Sequence, residues 1–190
     1  MSTEINPVVN IEEAEEQKTP SAPNRLKRVK LIVAYDGTNY HGWQVQPNGE
    51  TIEGVLNRTL SSLLGEKIIV TGASRTDAGV HSMGNVAVFD TKSRIPAEKI
   101  SYALNQWLPE DIVVQKSEEV PADFHPRHCD SRKTYEYRIL NREFPLPMYR
   151  NNTYFCYRKL DLEKMQQAAE YLRGEHDFKS FCATAAVVET

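Results

Sequence analysis

The sequence contains little cysteine, with three residues, Cys129, Cys156 and Cys182, far apart in a chain of 190. There is no Cys-x-x-Cys pair and no histidine at zinc-finger spacing, which excludes the usual structural zinc motifs and a disulfide framework. The sequence also lacks a glycine-rich loop of the kind that cradles phosphates. This cysteine usage predicts a protein of a reducing compartment.

Long apolar runs are missing as well. No stretch approaches the roughly 20 apolar residues that a membrane-spanning helix needs. The first 20 residues have neither the basic start nor the apolar stretch of a secretory signal. We therefore expect a soluble, cytoplasmic protein.

Charge is distributed unevenly along the chain. Of the formal net charge of −3, residues 1–24 contribute five glutamates against one lysine, and the remainder is nearly balanced. This acidic composition with few large apolar residues predicts a disordered leader over residues 1–26. A nearly neutral body does not by itself predict a nucleic-acid partner, so that argument depends on two local clusters that could meet phosphates. They are Arg25, Lys27, Arg28 and Lys30, and Arg127, His128, Arg132 and Lys133.

Apolar periodicity predicts one α+β unit over residues 27–141. Period-two and period-3.6 patterns alternate in the order β-α-β-β-α-β, which is that of a ferredoxin-like antiparallel sheet with both helices on one face. The opposite face is then expected to be free for a flat or extended ligand. The predicted segments are "RVKLIVAY", "TIEGVLNRTLSSLLG", "KIIVTGA", "NVAVFD", a helix opened by Pro96 with a stripe from Ile100 to Leu108, and "DIVVQKSEEV". A fifth strand, "KTYEYRIL", follows them.

Residues 142–190 are predicted to connect this unit to the start of a second, similar one. The pattern indicates a short strand, "TYFCY", and then a helix from Asp161 to Arg173 with Gly174 as its stop. The final "AAVVET" is typical of a strand that is just beginning.

The segment "SRTDAGVH", residues 74–81, is the most unusual connection in the chain. An Asp-x-Gly turn is ordinarily structural, with Asp77 capping its own turn and Gly79 supplying a positive φ. Arg75 and Asp77, however, lie two residues apart, so an extended backbone would project them to the same side, where they could pair. A charged pair at a strand end beside a sheet face indicates a functional site. We expect His81 to serve the turn or its packing rather than to act as a base.

Several segments in the same order resemble the tRNA pseudouridine synthase A family. The resemblance extends over roughly residues 28–185, with Ser74 standing where family members usually have glycine. The matching segments are "VAYDGTNYHGWQVQPNGETIEGVL", "SRTDAGVHSMGNVAVFD", "ALNQWLPEDIVV", "DFHPRHCDSRKTYEYRIL" and "LRGEHDFKSFCA".

The resemblance implies isomerisation of uridine to pseudouridine in the tRNA anticodon stem-loop, at positions 38–40. It implies that Asp77 is the catalytic nucleophile, that Arg75 assists base flipping, and that Tyr135 stacks on the uracil. It implies no cofactor, no metal and a homodimeric enzyme. The apolar "YHGWQVQ" loop is expected to be exposed and to support the catalytic loop. Tyr137, by contrast, fits a core tyrosine on the buried face of its strand.

Two other functions stay open at this stage. Family members continue through a second ferredoxin-like half that closes the active-site cleft, so this chain could instead be a non-catalytic, RNA-binding fragment. A ferredoxin-like metabolite sensor is a third hypothesis, but it leaves the Arg-Thr-Asp motif unexplained. Tritium release from C5-labelled uridine separates the first two.

Overall fold

A computed structural model of the chain describes residues 25–182, which form two compact units divided between Ser131 and Arg132. Most of the predicted acidic leader and the strand predicted at residues 185–190 lie outside the described residues. Within residues 25–182, no helix combines the length and the apolar content needed to cross a bilayer.

The first unit has the predicted element order. It comprises strand β1 (Lys27–Tyr35), helix α1 (Ile52–Leu64), strand β2 (Thr71–Gly72), strand β3 (Ser82–Thr91), helix α2 (Ala97–Leu104) and strand β4 (Ile112–Val120). The sheet order is β2-β3-β1-β4 and every neighbouring pair is antiparallel. The ferredoxin-like prediction for this unit is confirmed.

Both helices pack apolar residues onto one side of this sheet. In α1, Thr51 caps the amino terminus by accepting a hydrogen bond from the Gly54 N–H at 3.2 Å, and Gly65 ends the helix in the left-handed conformation. Four residues of the predicted stripe are buried, namely Ile52, Val55, Leu56 and Leu60. The α1 prediction is confirmed.

Helix α2 ends earlier than its predicted stripe. Leu104 is its last residue, and the Trp107 N–H then bonds to the Leu104 carbonyl at 3.0 Å in a tighter turn. Such a turn rotates the following side chains off the helical face. Trp107 is consequently 62% exposed, so its predicted place in the core is wrong.

The segment predicted as a second strand pairs with the sheet only at Thr71 and Gly72. The backbone N–H groups before them bond instead to side chains of α1. Ile68 donates to Ser61 Oγ at 2.9 Å and Val70 donates to Asn57 Oδ1 at 2.8 Å. The apolar pattern favoured a longer strand paired with the sheet. Hydrogen bonds to side chains of α1 have replaced most of that strand pairing.

Residues 121–131 cross part of the sheet face opposite the helices. The Phe124 carbonyl accepts a hydrogen bond from Arg28 Nη1 at 3.1 Å, and Lys30 Nζ lies 5.7 Å from the centre of the Phe124 ring. Further along, Arg127 Nε donates to the Gly72 carbonyl of β2 at 2.9 Å. The expectation of a free face is wrong here, because this segment has no periodic pattern from which its path could be read.

A cluster of charges on this face makes stability depend on pH. Hydrogen bonds from Lys116 and Lys30 lower the pKa of Glu118 to about 2, from an ordinary value of 4.5. A lowered carboxyl pKa contributes stability above the unfolded-state pKa and loses it as the pH falls towards the folded-state pKa. In the wild type, the free energy of unfolding should fall between about pH 4.5 and pH 2, and we expect Glu118→Gln to make this fall smaller. The measurement is urea unfolding at a series of pH values. A Glu118 carboxyl midpoint near 4.5 by NMR would contradict this.

The second unit consists of short elements. It contains strand β5 (Ile139–Asn141), a 3-10 turn at Pro147–Tyr149, strand β6 (Tyr154–Cys156), helix α3 (Leu162–Glu170) and a second 3-10 turn at Lys179–Phe181. Strands β5 and β6 are parallel. The predicted "TYFCY" strand and the third helix are confirmed, and Asp161 caps that helix by accepting from the Lys164 N–H at 3.1 Å.

The predicted fifth strand is shorter than expected. Only Ile139–Asn141 is paired, and residues 132–138 have no regular structure. Alternation of side chains does not make a strand where no neighbouring chain takes up its backbone hydrogen bonds, and the partner β6 spans only three residues.

Candidate active site

The connection between β2 and β3, residues 73–81, is called the motif loop here. It holds a turn closed by a hydrogen bond from the Val80 N–H to the Asp77 carbonyl at 3.2 Å, with Gly79 at a φ of 78°. The side chains of Arg75 and Asp77 are exposed. Within residues 25–182, neither side chain makes a hydrogen bond or an ion pair. The pairing expected from their spacing is not formed, and the Asp77 carboxylate does not cap the turn.

Asn85 of β3 fixes the start of the motif loop. Its buried side-chain amide accepts a hydrogen bond from the Ser74 N–H at 3.2 Å and donates one to the Ser74 carbonyl at 3.1 Å. The preceding Ala73 N–H bonds to the Val86 carbonyl at 2.7 Å. The backbone is therefore held immediately before Arg75.

Thr76 is held from two sides. Its hydroxyl lies 2.8 Å from the Tyr35 hydroxyl, and its carbonyl accepts a hydrogen bond from the Trp43 N–H at 2.9 Å. Burial raises the pKa of Tyr35, although hydrogen bonds with Thr76, Asn85 and Ser82 oppose that rise. The Tyr35 phenol therefore stays neutral, and its hydroxyl contacts Thr76 of the motif loop.

The loop after β1 packs beneath the motif loop. Tyr40 and Trp43 are buried, so the prediction that this segment is exposed is wrong for these two residues, whereas Gln44, Val45 and Gln46 are exposed as predicted. The Tyr40 carbonyl accepts a hydrogen bond from the Gly79 N–H at 3.2 Å. Together with the bond from Trp43, this contact holds the motif loop on both sides of Asp77.

Gly42 lies at a close approach between the two loops. Its φ is 85°, and a Cβ there would stand 2.6 Å from the Thr76 carbonyl oxygen and 3.2 Å from the Asp77 carbonyl carbon. An alanine would therefore push against backbone atoms of the motif loop.

We expect Gly42→Ala to destabilise the protein by about 2–4 kcal/mol, measured by urea unfolding. Gly65→Ala is the matched control, because Gly65 has a φ of 67° but open space around a Cβ. The control carries only the backbone strain of about 1 kcal/mol. Equal losses in the two variants would show that the contact with Thr76 does not matter.

His81 contacts the turn at the end of β1. Its Nδ1 lies 3.1 Å from the Gly37 N–H nitrogen and 3.0 Å from Asp36 Oδ1. The hydroxyl and N–H of Thr38, and secondarily His81, lower the pKa of Asp36. These contacts agree with the structural role that the sequence predicted for His81.

The first basic cluster is occupied by internal contacts. Each of its four cations has an acidic or carbonyl partner within the first unit, so the cluster is less available to phosphates than the sequence suggested. The pairs are Arg25–Glu119 at 2.6 Å, Lys27–Ile95 O at 2.5 Å, Arg28–Asp90 at 2.8 Å and Lys30–Glu118 at 2.5 Å.

The second cluster is divided. Arg127 bonds to the backbone of Gly72, whereas Arg132 and Lys133 are exposed in the second unit. Across residues 25–182, no group of three or more histidine, cysteine or acidic side chains could hold a metal ion.

Tyr135 also belongs to the second unit, in the irregular segment before β5. Its side chain is 78% exposed, as a stacking surface requires. Tyr137 is 75% exposed, with its ring centre 6.2 Å from that of Tyr154. Its expected place in the core is therefore wrong, because residues 132–138 do not form a strand with a buried face.

Comparison with known proteins identifies the family. The family model described as tRNA pseudouridine synthase matches residues 31–128, which include the second half of β1, the motif loop and β4. The chain belongs to this family. Pseudouridine synthases are isomerases. The motif loop lies within the matched residues and is therefore the candidate for this chemistry.

Individual relatives extend the match beyond that range. The tRNA pseudouridine synthase A of Acetivibrio thermocellus is 49% identical over 165 residues, covering 87% of this chain and 68% of the relative. Those of Ruminiclostridium cellulolyticum and Thermoanaerobacter sp. strain X514 are 48% and 47% identical, with 67% and 66% of each relative covered. The chain spans about two thirds of the length of these curated relatives.

Sequence reasoning pointed to the loop that holds Tyr40 and Trp43, but not to the two strand residues that hold the motif loop, Asn85 and Tyr35. Asn85 and Tyr35 lie in strands, where they read as ordinary members of an alternating pattern. An asparagine followed by the apolar run Val86–Phe89 was the available signal, because burying an amide is costly unless its polar atoms are bonded. In this synthase those atoms are bonded to the motif loop.

Proposed function

We propose that this tRNA pseudouridine synthase isomerises uridines 38–40 of the anticodon stem-loop with Asp77 as its nucleophile. One observation carries the proposal: the Asp77 carboxylate is exposed and has no hydrogen-bond or ion-pair partner among residues 25–182, while the backbone around it is fixed by contacts at Ser74, Thr76 and Gly79. A nucleophile requires such an arrangement, because a carboxylate already bonded to its own turn would have to break those bonds before it attacked.

The proposed reaction needs no group donor and no redox change. The Asp77 carboxylate attacks C1′ of the ribose, and the N1–C1′ bond breaks. The uracil then turns within the site, and a C5–C1′ bond forms. The bond between the carboxylate and C1′ breaks as the C5–C1′ bond forms, which frees Asp77. C5 then loses its proton to solvent, and N1 gains one. The atoms of substrate and product are therefore the same.

Arg75 and Tyr135 have separate proposed roles. The Arg75 guanidinium is exposed two residues before Asp77 and has no internal partner within residues 25–182. It is available to occupy the gap that a flipped nucleotide leaves in the stack. The exposed ring of Tyr135 provides a flat surface on which the extruded uracil stacks.

The proposal assigns phosphate contacts to Arg132 and Lys133 rather than to the cluster on β1. Arg28 and Lys30 are paired with carboxylates, and releasing them for phosphates would leave Asp90 without its partner and Glu118 with Lys116 alone. Arg132 and Lys133 are exposed and can contact phosphates without breaking such pairs. These contacts give the salt-dependent part of the RNA affinity. The proposal also includes a cytoplasmic homodimer, as the family resemblance implies.

The test uses tRNA transcripts labelled with tritium at C5 of uridine, with mass spectrometry of the digested product. We expect tritium release that falls when uridines 38, 39 and 40 are replaced by cytidine. Release that is unchanged in that transcript would contradict the anticodon assignment. RNA binding without any release would indicate the alternative, a non-catalytic RNA-binding module.

A further inference from the structure

Asn85 is a buried polar residue in a place where an apolar one would suffice for packing. It is 6% exposed and lies opposite Val33, whose side chain belongs to the core. Burying an amide is unfavourable unless its donor and acceptor are both satisfied. Asn85 satisfies them on the backbone of one residue, Ser74.

The bonded residue is the point from which Arg75 and Asp77 extend. Ser74 immediately precedes Arg75, and the next fixed point is Thr76, held by Tyr35 and Trp43. The Tyr35 hydroxyl lies 2.8 Å from that of Thr76, and Asn85 acts on its pKa as well, so Tyr35 lies close to both fixed points. Loss of the Asn85 amide would leave the Ser74 N–H and carbonyl without these partners and free the loop at its start.

We propose that Asn85 is a positioning residue, which acts through the Ser74 backbone to set the places of Arg75 and Asp77. This inference rests on the proposed function, since it assumes that Asp77 does the chemistry. Asn85 itself does not touch substrate in this mechanism. A shift of about 1 Å in a reacting group costs on the order of 100-fold in rate, so we expect the effect of losing Asn85 to fall on kcat.

The chain contains a matched control for this role. The Asn105 amide makes the same pair of bonds to one backbone residue, donating to the Val114 carbonyl at 2.9 Å and accepting from the Val114 N–H at 2.8 Å. Val114 lies in β4, an outer strand of the sheet, and not in the motif loop. Replacing either asparagine removes the same pair of backbone hydrogen bonds, although Asn105 is less buried than Asn85, and only one of the two pairs holds the loop.

The first measurement is hydrogen exchange of the full 190-residue chain. We expect Asn85→Leu to raise the exchange rates of amides in residues 73–81 at least tenfold, and Asn105→Leu to leave them unchanged. This readout does not depend on turnover. Unchanged protection of the motif loop in Asn85→Leu would overturn the proposal.

The second measurement is the tritium-release assay. We expect Asn85→Leu to lower kcat about 100-fold with KM for tRNA within a few-fold, and Asn105→Leu to retain wild-type kcat. Asn85→Gln keeps an amide but adds a methylene, so we expect it to be more active than Asn85→Leu. A role in packing alone predicts the opposite order, because the added methylene overfills the core.

The outcomes are distinguishable. Equal losses of kcat in Asn85→Leu and Asn105→Leu would refute the positioning role while leaving the proposed function intact. A wild-type chain that releases no tritium, combined with lost loop protection in Asn85→Leu, would contradict the proposed function and still support the anchoring of the loop by Asn85.

Discussion

Asp77→Asn is expected to reduce pseudouridine formation to less than about a thousandth of the wild-type rate. The amide keeps the size of the side chain but cannot attack as a nucleophile. Since the Asp77 side chain makes no hydrogen bond or ion pair within residues 25–182, the substitution breaks no such bond in the fold there. We therefore expect tRNA affinity within a few-fold of wild type, measured by filter binding beside tritium release.

Two further variants make this result specific. Asp77→Glu keeps the charge but moves the carboxylate outward by one methylene, and we expect it to lose most of the activity because the loop holds the backbone in place. Asp123→Asn removes another exposed carboxylate from the same unit and should leave the rate unchanged. Turnover by Asp77→Asn above a thousandth of wild type would rule out the nucleophile.

Tyr135→Leu is expected to have the second largest effect, and Tyr135→Phe a much smaller one. Stacking uses the face of the ring, which phenylalanine keeps and leucine lacks. Base–aromatic stacking is worth about 1–3 kcal/mol, so we expect a loss of roughly 5- to 150-fold in kcat/KM for Tyr135→Leu. The measurement is the same tritium-release assay over a range of tRNA concentrations.

Tyr137→Leu is the matched control for Tyr135, because the two tyrosines lie two residues apart and are almost equally exposed. We expect it to retain activity. If Tyr135→Phe were the more damaging change at position 135, the hydroxyl rather than the ring would be acting in the reaction. Equal losses in Tyr135→Leu and Tyr137→Leu would indicate a general effect of aromatic residues in this segment.

The fold of the first unit was largely predictable because its signals are local. The apolar stripe of α1 lies between a Thr51 cap and a Gly65 stop, and burial alternates regularly along β1. The failures came from tertiary contacts. Strand β2 is short because α1 side chains take its backbone donors, and residues 132–138 lack a partner strand.

The candidate site was predictable in its motif and in the loop beneath it, but not in the strand residues that support it. The segment "SRTDAGVH" and its family resemblance directed attention to Arg75 and Asp77, whose roles remain proposals. Sequence spacing also suggested an ion pair between them, which the structure lacks, because pairing depends on side-chain directions that spacing alone does not determine. The clamp of Asn85 on Ser74 joins residues 11 positions apart through the register of β3. No local pattern contains that information.

The position of β1 in the sheet has a consequence for synthesis. It is the first strand of the unit to leave the ribosome, yet it lies between β3 and β4, whose pairing extends to Thr91 and Val120. At about 5–20 residues per second, its apolar face waits several seconds for each neighbour, during which it is open to aggregation or to chaperones. Because Tyr35 and Asn85 come from β1 and β3, the loop that presents Asp77 takes its shape only after these two strands have met.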